Sequence, residues 1–107
     1  MTAAAGEAGR VAVPTPPGEA CLDPHVALPR PDCERWVWAP PGGERVRVVA
    51  WTCPCRAVFY ELCQVGGSAF VRRTVQRDGA WEVRETARVT CAAGHRMWQA
   101  LLSGEAR

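Results

Sequence analysis

The stretch 56–86, RAVFYELCQVGGSAFVRRTVQRDGAWEVRET, decides the fold because it carries two glycine-bearing pairs at a spacing that suits successive hairpins. Gly66-Gly67 and Asp78-Gly79 can each supply the positive φ angles of a two-residue type I′ loop, and β-branched and aromatic residues fill the runs on either side. The reading is three antiparallel strands over about 56–65, 69–76 and 80–86. With two-residue loops, Val65 faces Ser68 and Arg77 faces Ala80, and the register of everything between them follows by counting. Glu61, Arg72 and Glu85 then fall in a row across three strands, with opposite charges adjacent as cross-strand pairing favours. Phe59, Thr74 and Val83 share that face, with Cys63 against Phe70 and Gln76 against Trp81. The other face sets Val58 against Val75, Leu62 against Val71, and Tyr60 beside Arg73 and Arg84, a like-charged pair that calls for Glu82 or a bound anion nearby.

Upstream, Val46, Val48 and Ala50 alternate with Arg45, Arg47, Val49 and Trp51 in the two-residue period of a first strand beginning near Arg45. Downstream the period changes. Thr90 is an N-cap and Gly104 a C′ residue, enclosing a helix whose Gly94, Trp98, Leu101 and Leu102 form one stripe with Met97 at its edge. That stripe suits the aliphatic face of Val58, Leu62, Val71 and Val75. A glycine inside a helix costs roughly 1 kcal/mol relative to alanine, so Gly94 marks a close approach to the sheet. The expected fold is α+β, a four-stranded antiparallel meander packed by one C-terminal helix over 45–107.

Before it, Pro14, Pro16, Pro17, Pro24, Pro29 and Pro31 deny the backbone helix and ladder hydrogen bonds, so 1–32 reads as a flexible Pro/Ala/Gly-rich leader. Residues 33–44, with Trp36 and Trp38 ahead of Pro40-Pro41-Gly42-Gly43, read as a linker or short edge strand. The two tryptophans are expected to fold back over the sheet face that bears Phe59, Phe70 and Trp81.

The chain has 107 residues, 48% of them hydrophobic, and a net charge of +2. That is the size of one small domain, and the charge is far from the excess of a dedicated nucleic-acid binder. All thirteen basic residues are arginine, a GC-rich coding bias that weakens any argument from arginine chemistry. The N-terminal residues show neither a secretory signal nor a membrane span, so a cytoplasmic address is expected. In that compartment the six cysteines read as small buried side chains, metal ligands or reactive thiols before disulfides.

Cys53-Pro54-Cys55 lies where the first two strands turn, and a Cys-x-Cys at a hairpin tip offers two thiolates to one tetrahedral metal. Completion must come from Cys63, from Cys91 and His95, or from the leader's Cys21, His25 and Cys33. Cys91 and His95 sit one helical turn apart on one face, so the set Cys53, Cys55, Cys91 and His95 would tie helix to sheet through a structural zinc, with Cys63 as a substitute. The leader's Cys-x3-His-x7-Cys is a separate three-ligand candidate. Cys91 also suggests thiol chemistry, since a helix N-terminus lowers a thiol pKa, but no group orients His95 and no oxyanion or phosphate loop accompanies it.

Phe59, Phe70, Arg72 and Trp81 share one sheet face, a surface suited to another protein or, by stacking, to single-stranded nucleic acid. The functional expectation is a small non-enzymatic protein-binding or regulatory module, with structural zinc binding as the alternative. Tyr60-Glu-Leu-Cys63, Gly66-Gly67, Phe70-Val-Arg-Arg-Thr74, Glu85-Thr86 and Trp98-Gln-Ala-Leu-Leu102-Ser-Gly104 together resemble a type of short actinomycete protein. The resemblance covers about half the chain and implies no activity, cofactor or partner.

Overall fold

Both hairpins form in the register that the loops dictate. A computed structural model describes residues 21–107, and residues 1–20 of the expected 1–32 leader lie outside the described residues. The strands are β1 (Arg47–Trp51), β2 (Val58–Val65), β3 (Ser68–Arg77), β4 (Ala80–Glu85) and β5 (Val89–Thr90), followed by the helix α1 (Cys91–Leu102). The sheet order is β1-β2-β3-β4, all antiparallel. Glu61 faces Arg72 and Arg72 faces Glu85, while Tyr60, Arg73 and Arg84 align on the other face. Glu82 answers the like-charged pair by binding Arg84 at 3.0 Å.

Asp78 and Gly79 both have positive φ, 50° and 78°, as a type I′ loop requires. Of the other pair only Gly66 does, at 58°, which is the II′ pattern and corrects the expected I′.

Two features depart from the expected meander. A bulge between Val48 and Ala50 pairs Val48 with Cys63 but Ala50 with Leu62, so these two residues face opposite ways and the alternation from Arg45 breaks at Val49. Beyond β4 the chain does not go straight into the helix. Thr86 donates its N–H to the Val71 carbonyl and accepts the Val71 N–H on Oγ1, and β5 then continues along the same side of β3, Val89 facing Ala69 and Thr90 facing Ser68.

The helix begins and ends as its caps dictate. Thr90 Oγ1 accepts from the Ala93 N–H at 3.1 Å. At the other end Glu105 N–H reaches the Ala100 carbonyl and Gly104 N–H the Leu101 carbonyl, with Gly104 at φ 82°, the paired bonds of a Schellman motif. Gly94, Trp98 and Leu101 are buried in a core shared with Tyr60, Leu62, Ala69 and Val71. A Cβ built on Gly94 would lie 2.6 Å from Ala69 Cβ and 3.6 Å from Leu62 Cδ1. Gly94→Ala is therefore expected to destabilise the protein by about 1–3 kcal/mol, because overpacking outweighs the helix-propensity gain. Ala69→Gly in the same chain should recover part of the loss in urea melts, and a Gly94→Ala variant more stable than the parent would refute the close approach.

Residues 21–39 are laid along the domain as a strap. Ala27 and Arg30 donate N–H groups to the carbonyls of Leu102 and Gly104, Glu34 and Trp36 to those of Glu105 and Arg107, and Arg107 returns one to Glu34. Ala39 then exchanges both backbone bonds with Glu85 at the border of β4. Pro24, Pro29 and Pro31 do not interrupt this pattern because the N–H groups that bond belong to other residues, Ala27 and Arg30 between the prolines and Glu34, Trp36 and Ala39 after them. Val26, Trp36 and Trp38 pack on the Tyr60, Leu62 and Val71 side of the sheet, Trp38 lying 6.2 Å from the Tyr60 ring. The tryptophans thus complete the core beside the helix, and not over Phe59, Phe70 and Trp81 as expected. No described helix is long and apolar enough to cross a membrane.

Candidate metal centre

The loop between β1 and β2 is pinned at its base. Thr52 N–H donates to the Tyr60 carbonyl and Tyr60 N–H to Thr52 Oγ1, both at 2.9 Å. Cys53 N–H then donates to the Pro24 carbonyl at 2.9 Å, which fastens the strap to the loop and brings Cys21 and His25 over Cys53 and Cys55. Pro24 and Pro54 limit the backbone freedom of both segments.

Four ligand atoms converge there, the sulfurs of Cys21, Cys53 and Cys55 and a ring nitrogen of His25, all within 4.8 Å of one another. Cys21 Sγ is 3.7 Å from Cys55 Sγ, and His25 Nε2 is 3.2 Å from the same sulfur. In a tetrahedral zinc site, bond lengths near 2.3 Å to sulfur and 2.0–2.1 Å to nitrogen put two sulfurs about 3.8 Å apart, and a sulfur and a nitrogen about 3.6 Å apart. The cluster has close to those dimensions. Three thiolates and one imidazole are also a donor set that favours zinc over harder cations.

The electrostatics of the pair suit a cation. Burial pushes the Cys53 thiol up to about 11. The hydrogen bond from Cys53 holds the exposed Cys55 thiol below its usual value, with help from the Arg56 charge. Of the two thiols Cys53 holds its proton the more tightly, and a bound divalent ion would displace it. Arg56 would then offset part of the net negative charge of a three-thiolate zinc site.

Only half of the expected four-ligand set is brought together. Cys53 and Cys55 are in the cluster, but Cys91 and His95 are not. The Cys91 thiol donates to the Gly67 carbonyl at 3.4 Å, at the far end of β2 from the Cys53 loop. The eight residues of β2 span about 26 Å. His95 lies one turn further along α1 and is exposed. Cys63 cannot substitute, because it is fully buried inside β2 opposite Phe70, and burial pushes its thiol up to about 12. Of the leader's set, Cys21 and His25 join the cluster while the Cys33 thiol turns to the Glu34 carbonyl.

The face proposed for a partner is also largely occupied. Phe70 is fully buried, with the Arg88 guanidinium 3.7 Å and that of Arg72 5.9 Å from its ring centre. Arg72 is held by Glu61 and Glu85 at 3.4 and 3.3 Å. What stays open is Trp81, 59% exposed, edge-on to Phe59 at 6.1 Å. A base-stacking platform needs free aromatic faces and free guanidiniums, and Phe70 and Arg72 supply neither.

Comparison of the chain with protein-family models, curated proteins and solved structures finds no match.

Proposed function

We propose that the chain is a small zinc-stapled binding module in which Cys21, His25, Cys53 and Cys55 hold one Zn²⁺ in a closed, structural site. The observation that carries this reading is the convergence of those four ligand atoms within 4.8 Å from two segments far apart in sequence. All four positions are filled by protein, so the ion has no open position for substrate, and its contribution is to fasten the strap to the sheet. Its working partner is another protein, met through apolar side chains that stay exposed, Trp81 beside Phe59 and the strap residues Leu22, Leu28 and Val37.

Metal analysis of protein purified without added zinc tests the site. About one equivalent is expected, falling below about a tenth in Cys53→Ser and staying near one in Cys91→Ser. Cobalt substitution should give the intense visible absorption of a tetrahedral thiolate site. A parent protein without bound metal, or a Cys91→Ser variant that loses it, would overturn the assignment.

A further inference from the structure

The four ligands differ sharply in their surroundings. Cys53 is 7% exposed and anchored through its N–H to Pro24. Cys55 sits on the exposed turn beyond it, and its sulfur is 3.7 Å from that of Cys21. A cleft of ≈ 360 Å³ opens beside His25 and Cys53, with Arg56, Tyr60 and Arg107 on its walls, so small solutes reach the centre from the side as well as from the turn.

We propose that this centre is gated by oxidation: a hydroperoxide joins Cys21 to Cys55 as a disulfide and expels the zinc. The inference rests on the zinc reading above and names the regulation of that site. A disulfide needs its sulfurs about 2.05 Å apart, so the pair must close by about 1.7 Å, a movement the exposed turn at Cys55 can supply. Of the competing bridges, Cys53 to Cys55 would have to close across a single proline and is opposed by disulfide geometry, and Cys21 to Cys53 would have to engage the buried sulfur whose residue is anchored to Pro24.

The chemistry balances with the peroxide as sole oxidant. The Cys55 sulfur attacks one peroxide oxygen, the O–O bond breaks, and the leaving oxygen departs as water or an alcohol after taking a proton. The Cys21 thiolate then attacks the resulting sulfenic sulfur. The S–S bond forms, hydroxide leaves and is protonated to water, and two thiolates have given up two electrons. Cys53 and His25 alone are too few ligands to retain zinc. The new bond ties the strap to the loop where the metal did, so the ion leaves without freeing the strap.

The test uses the full chain carrying Cys33→Ser and Cys91→Ser, which removes the two partly exposed thiols outside the cluster. Zinc content is measured first, then hydrogen peroxide is added with a chromogenic chelator present, and tryptic peptides are mapped. The expected result is release of one equivalent of zinc for two thiols consumed and a cross-link from the peptide bearing Cys21 to Cys55. Dithiothreitol with zinc should reverse it, and the oxidised form should melt within a few degrees of the zinc form. Zinc kept after thiol loss, a Cys53–Cys55 bridge within one peptide, or sulfinic acid at Cys55 without a cross-link would each overturn the redox step while leaving the zinc site standing. A chain that carries no zinc before peroxide overturns both.

Discussion

On the proposed zinc reading, protein treated with a strong chelator under reducing conditions is expected to melt about 15 °C or more below its zinc-loaded form. The size follows from what the site joins. Cys21 and His25 are 34 and 30 residues from Cys55, and a cross-link closing a loop of that length removes about 3–4 kcal/mol of freedom from the unfolded chain on a chain-entropy account. For a domain of this size each kcal/mol is worth about 4–8 °C. The loss should also be local. Amide exchange is expected to accelerate first at Cys53 and Ala27, whose N–H groups bond Pro24 and Leu102 across the strap, while the amides of α1 and β3 stay protected. A melting temperature that moves by less than about 2 °C would mean that the strap holds without metal.

Glu85→Ala is expected to be the most damaging single change to a charged residue, costing about 2–3 kcal/mol in chemical unfolding. The Glu85 side chain is 4% exposed and serves three donors, Arg72 Nε at 3.3 Å, Arg88 at 3.3 Å and the Gly42 N–H at 3.0 Å. Arg88 also binds Glu44, and both arginines flank the buried Phe70 ring. Deleting the shared carboxylate would remove one buried acceptor from three donors at once, leaving Arg72 with Glu61 and Arg88 with Glu44 as their remaining carboxylate partners. Glu61→Ala is the control. It meets the same Arg72 at 3.4 Å, but its side chain is 24% exposed, and a change of at most about 1 kcal/mol is expected there. Equal losses at Glu61 and Glu85 would show that burial is not what gives the carboxylate its weight.

The meander was legible because short loops make register a matter of counting. Once Gly66-Gly67 and Asp78-Gly79 are read as two-residue connections, the Glu61, Arg72 and Glu85 row follows without any knowledge of the core, and Gly94 announced a close approach to the sheet through its propensity cost, though not that Ala69 is what it meets. The strap was not legible for the opposite reason. Its hydrogen bonds run to residues 102–107 and not to a neighbouring strand, and its prolines suggest freedom while occupying positions where no N–H is needed. One signal was available: Trp36 and Trp38 stand two apart, the spacing that puts both on one side of extended chain, and both pack on the core. The expected ligand set, of which only Cys53 and Cys55 fall in the cluster, has the same origin. Cys53-Pro54-Cys55 is local and readable, whereas the choice between Cys21 with His25 and Cys91 with His95 depends on which segment passes over the loop, a tertiary fact. Helical spacing made the second pair attractive, and the length of β2 rules it out.

The order of the ligands along the chain has a bearing on biosynthesis. Cys21, His25, Cys53 and Cys55 all precede β2, so a ribosome exports a full set of donors before most of the sheet exists. Leu102, Gly104, Glu105 and Arg107, which the strap later grips, follow roughly fifty residues on, a delay on the order of several seconds at ordinary elongation rates. On the proposed zinc reading, the ion can therefore join the leading segment to the Cys53–Cys55 segment before the β1–β2 hairpin closes, leaving the clasp between the strap and residues 102–107 as a later event of maturation.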